Sequence, residues 1–252
     1  MSQPWEIYDA LLDGLPGDVV VRAAGQGPRW SRVLNSAGGV GTAWTMDVRS
    51  RPALADGSLD GRPLRDIGAL VKSWNLAEAS IGQAAINSWY SREETAAANG
   101  FEPTGEGLTW RQVFDPYQKM IAGRKVAVIG HFPFAEAALA GAGEYICLER
   151  NLQPGDWPDS ACEYVLPECD LVFISSSSFV NKTAPRLIEL SRQAHTVLVG
   201  PSTPLNPVLL DYGVDTVTGF IAARSLSDPA ALAELVPAGD IGPGFRVHRH
   251  RV

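Results

Sequence analysis

Small, polar and ionisable residues follow the apolar runs in the second half of this 252-residue chain. They form four groups: Gly130-His131-Phe132, Glu149, Ser175 to Ser178, and Gly200-Pro201-Ser202-Thr203. Imidazole and carboxylate groups can ligate a metal ion or transfer a proton, and free backbone amides can hold an anion. If the apolar runs are parallel strands, these groups meet at the carboxyl edge of one sheet, where α/β proteins bind ligands. The sequence therefore predicts a site for a small molecule or a metal complex at that edge.

His131 is the best-placed histidine, because it follows the first apolar run into the predicted crevice. Glu149 follows Gly130 by 19 positions, near the ~20 expected for an acid that binds a ribose in dinucleotide-binding proteins. The turn itself does not match Gly-x-Gly-x-x-Gly, because His131 and Phe132 come directly after Gly130. His131 and Glu149 are the candidate metal ligands, and the choice between metal ligation and proton transfer stays open.

Two further segments favour anion binding at predicted helix starts. Thr203-Pro204 is typical of an N-cap followed by proline at the first helical position, and the free amides there suit a carboxylate or phosphate. In Asn181-Lys182-Thr183, Thr183 is a candidate cap and Lys182 offers positive charge to an anion, although the sequence favours a solvent-facing turn for this segment. Asn87 is polar within an apolar helical stretch, so we expect it either to line a cleft or to make a structural hydrogen bond.

The cysteines and the other histidines give weaker signals. Cys147, Cys162 and Cys169 are separated by 15 and 7 positions, which matches no compact zinc pattern. Cys147 lies within an apolar run and is expected to be a core thiol. His195 is expected to begin a strand, and His248-Arg249-His250 is interpreted as a frayed basic tail. The sequence contains neither His-Glu-x-x-His nor Gly-x-Ser-x-Gly, so a hydrolase triad has no local support.

Alternating elements must position these residues. Apolar runs predict strands in the second half, at residues 125–130, 145–149, 170–174, 196–200 and 214–222. Helical segments separate them, which indicates a doubly wound, mostly parallel sheet. The first half predicts three strands, at residues 18–22, 29–34 and 41–46, and then helices from Pro63 and over 77–91, an α+β pattern. Asp115-Pro116 marks the predicted boundary, which gives domains 1–115 and 116–252.

Composition excludes several classes of protein. The net charge of −7 argues against a nucleic-acid partner, whose binding depends on neutralising phosphates. No apolar run reaches the ~18 residues of a membrane span, so no membrane partner is expected. Three cysteines, an odd number, argue against a disulfide framework. The first residues lack a signal-peptide pattern, so we expect a cytoplasmic protein, with room left for a homo-oligomer.

Five segments, in their order along the chain, resemble a known family. They are Ser80 to Asn87, Gly130-His131-Phe132-Pro133, Glu149-Arg150-Asn151, Asp170 to Thr183, and Gly200-Pro201-Ser202-Thr203-Pro204-Leu205. The pattern resembles the family named for heavy-metal chelation, over about residues 5 to 225. The resemblance implies an enolase N-terminal-like α+β half, a Rossmann-like half and a site between them.

The leading hypothesis is a protein that binds a small anionic or metal-chelating metabolite in the interdomain cleft. The ligand-binding candidates are Asn87, Gly130, His131, Phe132, Glu149, Ser175, Ser176, Asn181, Lys182, Thr183, Gly200, Pro201, Ser202 and Thr203. A metal ion is the cofactor this hypothesis allows, and its identity is left open, as is whether the protein is an enzyme. Two alternatives stand beside it: an enzyme that uses NAD or S-adenosylmethionine, and a non-enzymatic carrier of a metal complex.

Overall fold

The computed structural model describes residues 3–105 and 110–251. Met1, Ser2 and Val252, which the predicted domain bounds include, lie outside the described residues. The fold is a mixed α/β arrangement with a small antiparallel sheet and a separate, larger sheet whose centre is parallel. This confirms the predicted mixed α/β fold with a mostly parallel sheet in the second half, and it shows that the three strands of the first half are antiparallel.

The small sheet consists of three antiparallel strands in the order β1-β2-β3. The strands are β1 (Val21–Gln26), β2 (Trp30–Asn35) and β3 (Val40–Trp44). The helices of this part of the chain are α1 (Glu6–Asp13), α2 (Leu64–Ala69), α3 (Leu76–Tyr90) and α4 (Glu93–Ala98).

Helix α3 is the centre of this half. Asn75 caps its first turn, because the Asn75 side chain accepts a hydrogen bond from the Glu78 amide. The helix lies so close to β3 that a Cβ added to Gly41 would stand 1.9 Å from the Ala84 carbonyl oxygen. Only glycine permits this approach, which brings the buried polar residues of α3 against the sheet.

The large sheet has eight strands in the order β4-β11-β10-β9-β8-β5-β6-β7. The strands are β4 (Glu102–Pro103), β5 (Lys125–Ile129), β6 (Glu144–Glu149), β7 (Trp157–Pro158), β8 (Leu171–Ser175), β9 (His195–Val199), β10 (Thr216–Ala222) and β11 (Gly244–His250). The helices of this part are α5 (Gln118–Ile121), α6 (Ala135–Ala138), α7 (Cys162–Val165), α8 (Ala184–Leu190), α9 (Val208–Asp211) and α10 (Pro229–Ala238).

The centre of the large sheet is parallel, as predicted. Strands β6, β5, β8, β9 and β10 run side by side in one direction. Their middle residues, such as Val126, Ala127 and Val128, are fully buried, because helices and 3₁₀ segments cover both faces. The parallel arrangement brings the residues that follow these strands to one edge, called here the carboxyl edge.

Three local predictions are wrong. His248-Arg249-His250 is not a frayed tail but the end of β11, which pairs antiparallel with β10 and with β4. The sequence places its last strand at residues 214–222, and the structure adds β11 after it. The helix predicted to start at Thr203-Pro204 begins instead at Val208, because the Thr203 hydroxyl is engaged by the main chain of neighbouring segments.

Within the described residues, no helix combines the length and the apolar character that a bilayer crossing requires.

Candidate metal centre

Three potential metal ligands converge where β5 and β6 end. The ligand atoms of His131, Cys147 and Asp156 all lie within 4.8 Å of one another, and no other group of three His, Cys, Asp or Glu residues does so in the described part of the chain. His131 Nδ1 is 3.0 and 3.1 Å from the two carboxylate oxygens of Asp156. Cys147 Sγ is 4.0 Å from the same imidazole nitrogen. An imidazole, a thiol and a carboxylate therefore face one common point.

The register of β5 and β6 brings His131 to Cys147. Val128 pairs with Cys147 in the parallel ladder, so the residues just past β5 lie above the end of β6. Gly130 has φ 99°, a left-handed conformation that glycine adopts without strain. This turn directs His131 back over the edge of β6.

Glu149 fixes the two loops that carry the ligands. Its Oε2 accepts a hydrogen bond of 2.8 Å from the His131 amide, and its Oε1 accepts 2.7 and 2.9 Å bonds from the amides of Arg150 and Asn151. Three amides on one carboxylate make charge-assisted hydrogen bonds. The structure thus unites His131 and Glu149, with Glu149 as the residue that positions the imidazole.

Asp156 is a buried carboxylate held in one orientation. Its side chain is only 3% exposed, and Oδ2 also accepts a 2.9 Å bond from the Gln153 amide. Burial acts to raise the pKa of Asp156, but hydrogen bonds from Gln153, Cys147 and His131 outweigh it and hold the pKa below its usual range. Asp156 is therefore ionised at neutral pH and ready to accept a cation.

Cys147 is a thiol in the metal-free protein. Burial, followed by the neighbouring Asp156 carboxylate, raises the pKa of Cys147 to about 12. A soft metal ion displaces the thiol proton when it binds, because thiolate is the ligating form. The expectation of a buried thiol is confirmed, since the residue is 5% exposed.

The spacing of the three groups suits a tetrahedral metal ion. With bonds of about 2.0–2.2 Å to nitrogen and oxygen and about 2.3 Å to sulfur, tetrahedral zinc ligands stand about 3.3 Å (N to O) and about 3.6 Å (N to S) apart. The corresponding separations here are 3.0 and 4.0 Å. The side chain of His131 is 35% exposed, so the position completing the tetrahedron is reachable from solvent. Thiolate and imidazole favour zinc and softer ions over magnesium and calcium.

A second set of predicted site residues is packed rather than open. Asn87 is fully buried, donates to the Thr42 carbonyl at 2.8 Å and accepts from Gln83 at 3.0 Å. Gln83 donates also to the Ser202 carbonyl at 3.2 Å, and the Ser202 hydroxyl accepts from the Trp44 amide at 2.8 Å. Of the two roles predicted for Asn87, these contacts favour the structural hydrogen bond.

Thr203 and Ser176 continue this packed set. The Thr203 hydroxyl lies 2.7 Å from the Gly200 carbonyl oxygen and 2.8 Å from that of Thr218, and it contacts the Ser176 hydroxyl. Ser176 and Thr203 are both fully buried. We call Gln83, Asn87, Ser176, Ser202 and Thr203 the packed polar group.

The other predicted site residues lie around these two regions. Lys182 donates to the carbonyls of Ser73 and Val180, and burial lowers its pKa to about 8. Asn181 accepts from the amide and the hydroxyl of Thr183, which makes a local turn. The hydroxyl of Ser175 is 3.0 Å from that of Ser177.

Phe132 packs among aromatic rings, and Gly200 and Pro201 form a turn. The ring of Phe132 contacts those of Phe114 and Phe134. Gly200 has φ 128° and begins the turn that Pro201 continues. The ligand-binding roles of these residues, and of the others named from sequence, stay predictions.

Sequence reasoning missed two of the three donors. Cys147 was assigned to the core by its apolar neighbours, although its position two residues before Glu149 was a usable signal. Asp156 lies in the loop before β7, and nothing in its local sequence indicates that the loop folds back onto His131.

Comparison with protein-family models identifies the class. Residues 112–245 match the family DUF364 and residues 8–90 match DUF4213, and both are described as "Putative heavy-metal chelation". The first match spans more than half of the chain. The chain belongs to this heavy-metal chelation family, as the resemblance implied.

Two solved structures of DUF364-family proteins are similar to this chain. The chain is similar to a DUF364-family protein of unknown function from Desulfitobacterium hafniense DCB-2, with 37% identity over 98% of both chains and a TM-score of 0.85. A DUF364-family protein of unknown function from Pyrococcus horikoshii shares 20% identity over 98% of this chain and 99% of that one, with a TM-score of 0.77. The second similarity concerns the fold alone. No curated protein matches the chain.

Proposed function

We propose that this protein binds a thiophilic divalent metal ion, zinc or a softer ion such as cadmium, through His131, Cys147 and Asp156. The observation that carries the proposal is the approach of one imidazole, one thiol and one carboxylate to within 4.8 Å of one another. The family's description supports the same chemistry. Three protein ligands leave an open position, so the metal can be taken up together with a small chelating metabolite.

The site is prepared before the metal arrives. Glu149 holds the His131 main chain, and Gln153 orients the Asp156 carboxylate. Because these supporting hydrogen bonds already exist, the loops need not refold when a metal binds. Binding requires loss of the thiol proton, and the proton that His131 Nδ1 donates to Asp156 must move to Nε2 or to solvent. Such a site can chelate a metal without performing a reaction, which favours a binding or carrier role.

The nucleotide-cofactor alternative has a weaker basis in the geometry. It depended on Glu149 holding a ribose, but three backbone amides already bind the two Glu149 oxygens. A ribose hydroxyl would compete with those amides for the same carboxylate.

We also propose that the second half of the chain is Rossmann-like and the first half enolase N-terminal-like. The six parallel strands β7-β6-β5-β8-β9-β10, numbered by their order in the chain, have the order 3-2-1-4-5-6 of a Rossmann sheet. This order supports a Rossmann-like half, and the three antiparallel strands followed by helices support an enolase N-terminal-like half. Three free cysteines suit a reducing compartment, which supports a cytoplasmic location.

The test measures bound metal directly. Purified, untagged protein is dialysed against Zn²⁺, Cd²⁺, Mg²⁺ or Ca²⁺, and bound metal is counted by inductively coupled plasma mass spectrometry. We expect Zn²⁺ and Cd²⁺ to bind, with a thiolate-to-cadmium charge-transfer band in the ultraviolet, and Mg²⁺ and Ca²⁺ not to bind.

Cys147→Ser and His131→Gln are expected to weaken Cd²⁺ binding by about 100-fold or more, beyond the ~10–100-fold cost of losing a supporting residue. Cys169→Ser is the matched control, because Cys169 is also buried and donates to the Val165 carbonyl. A charge-transfer band that survives in Cys147→Ser and disappears in Cys169→Ser would sink the proposal.

A further inference from the structure

A cavity of about 220 Å³ lies between α1 of the first half and α8 and α9 of the second half. Its walls include Ile7 of α1, Pro185 and Ile188 of α8, and Asp211 and Tyr212 at the end of α9. Pockets for drug-sized molecules measure ~300–1,000 Å³, so this cavity suits a smaller ligand. Neither the candidate metal centre nor the packed polar group contributes to its lining.

The apolar part of the wall suits an aliphatic side chain. Ile7 and Ile188 are each only 2% exposed and belong to the main apolar core. Pro185 and the Tyr212 ring are half-buried and line the same cavity. Because these residues sit on helices that pack against the core, the wall exists before a ligand binds.

Two opposite charges line the cavity without a partner. Arg192 follows α8 and Asp211 ends α9, and among the described residues neither forms an ion pair or a side-chain hydrogen bond. The remaining charged residue of the lining, Glu189, accepts a 2.8 Å hydrogen bond from Arg186. The cavity therefore offers one free guanidinium and one free carboxylate that are not paired with each other.

Negative charge gathers on the side of the cavity that Tyr212 occupies. The carboxylates of Glu6, Asp211 and Asp9 all interact electrostatically with its hydroxyl, although Lys72 offsets the charge of Asp9 through an ion pair. An ammonium group is favoured on this side by the negative charge and by the aromatic ring. A guanidinium on the other side suits a carboxylate, so a ligand that carries both charges matches both sides.

We propose that the cavity binds a free α-amino acid with an aliphatic side chain, its carboxylate on Arg192 and its ammonium beside Asp211. The observation that carries the proposal is the pair of free, opposite charges beside an apolar wall. The ligand contacts helices of both halves of the chain, so its binding stabilises the folded protein. The site shares no residue with the candidate metal centre and does not depend on the metal proposal.

Isothermal titration of leucine into the untagged wild-type protein tests the proposal. EDTA is present throughout, because an amino acid can also coordinate a metal ion. We expect leucine to bind, and glycine to bind about tenfold more weakly or worse, because burial of the leucine side chain is lost. N-acetylleucine lacks the ammonium charge and leucine methyl ester lacks the carboxylate charge, so each should also bind about tenfold more weakly.

The two charged residues are tested by exposed, conservative substitutions. Arg192→Gln and Asp211→Asn should each weaken leucine binding by about tenfold. Both side chains are exposed, so the variants should keep the wild-type circular dichroism spectrum and melting temperature. Arg22→Gln is the matched control, since Arg22 is also exposed but lies in β1 and does not line the cavity. It should bind leucine as tightly as the wild type.

Three results would overturn the proposal: no heat from leucine at millimolar concentration, equal affinity for leucine and its methyl ester, or wild-type affinity in Arg192→Gln. Cys147→Ser separates the two proposals, because it should lose the cadmium–thiolate band and keep leucine binding. Loss of leucine binding in Cys147→Ser would place the amino acid at the candidate metal centre instead. Failure of leucine to bind the wild type leaves the metal proposal as it stands.

Discussion

Two groups of polar side chains lie at the carboxyl edge of the large sheet, and they differ in what satisfies them. The packed polar group is buried, and its members bind one another and nearby carbonyls. In the candidate metal centre, backbone amides hold the supporting oxygens, while the imidazole, the thiol and the carboxylate face a shared point. In each group some members follow an apolar strand, Ser176, Ser202 and Thr203 in the first and His131 in the second.

The difference shows that position at a strand end does not by itself make a ligand site. The decisive feature is whether side chains of metal-ligating types face one another within reach of a single ion, as those of His131, Cys147 and Asp156 do. The packed polar group links α3 and β3 to the turn after β9, through the bonds of Gln83 and Trp44 to Ser202, although Gln83 Oε1 itself has no partner. The imidazole, thiol and carboxylate of the candidate metal centre are instead grouped within reach of one ion. Substitutions in the two groups should therefore affect different properties.

The largest effect on stability is expected from Asn87→Ala. The substitution removes the Asn87 bond to the buried Thr42 carbonyl and one of the two bonds of Gln83 Nε2, which keeps its bond to Ser202. At ~1–3 kcal/mol for each lost bond, unfolding should become easier by about 3 kcal/mol. Urea denaturation measures the change. Asn181→Ala is the control, since Asn181 bonds only within its own turn, and a cost equal to that of Asn87→Ala would contradict the comparison. Cadmium binding by the folded variant should match the wild type.

Metal binding at the candidate metal centre should stabilise the folded protein. Zinc at about 100 times its dissociation constant should add about 2.7 kcal/mol to the free energy of unfolding, seen as a higher melting temperature. Cys147→Ser should remove the part of this gain that comes from the candidate metal centre, while Cys169→Ser should keep it. Equal gains in wild type and Cys147→Ser would show that zinc acts elsewhere.

A smaller loss of affinity is expected from Glu149→Gln. The amide side chain offers one oxygen in place of the two that accept three backbone hydrogen bonds, so the His131 loop loses part of its support. Cadmium affinity should fall by about 10–100-fold, less than for Cys147→Ser. Isothermal titration of the three proteins orders the effects, and an unchanged affinity in Glu149→Gln would rule out a positioning role.

The smallest effect concerns the charge of Lys182, which links the Ser73 and Val180 carbonyls. Burial lowers its pKa from 10.5 to about 8 in the folded protein. Between these values the unfolded chain binds more protons than the folded one, so the Lys182 contribution to stability rises as pH increases from about 8 toward 10.5 and is lowest below 8. Lys182→Met should flatten this part of the stability profile, measured by denaturation in urea. If the Lys182→Met variant has the same pH profile of stability as the wild type, Lys182 is not the group responsible for it.

The sequence predicts the regular elements well and the convergence of distant residues poorly. Strand β5 was predicted almost to the residue, because a continuous apolar run has few other uses in a protein of this size. Strand β11 was missed because His248-Arg249-His250 and Arg251 form an unbroken polar run that looks like a charged tail. The run is a strand because β10 on one side and β4 on the other satisfy its main chain.

Site prediction failed where the deciding partner is distant in sequence. His131 and Glu149 were found because they directly follow strands, whereas Asp156 reaches the site through a loop without a pattern. Thr203 has the local sequence of a helix cap, yet its hydroxyl bonds the Thr218 carbonyl on a neighbouring strand. Local sequence cannot predict whether the Thr203 hydroxyl caps a helix or bonds to Thr218, because Thr218 comes near Thr203 only once β10 has packed into the sheet.

The position of β11 has a consequence for how the chain folds during synthesis. Strand β4 pairs with β11 alone, and Arg32 of β2 donates to the Asp240 carbonyl just after α10. Residues 102–103 therefore cannot pair until β11, roughly 140 residues further along the chain, has been synthesised. Translation of that stretch takes on the order of 10 s. The three strands of the small sheet can pair as soon as they emerge, but the Arg32 contact that ties them to the region after α10 needs Asp240.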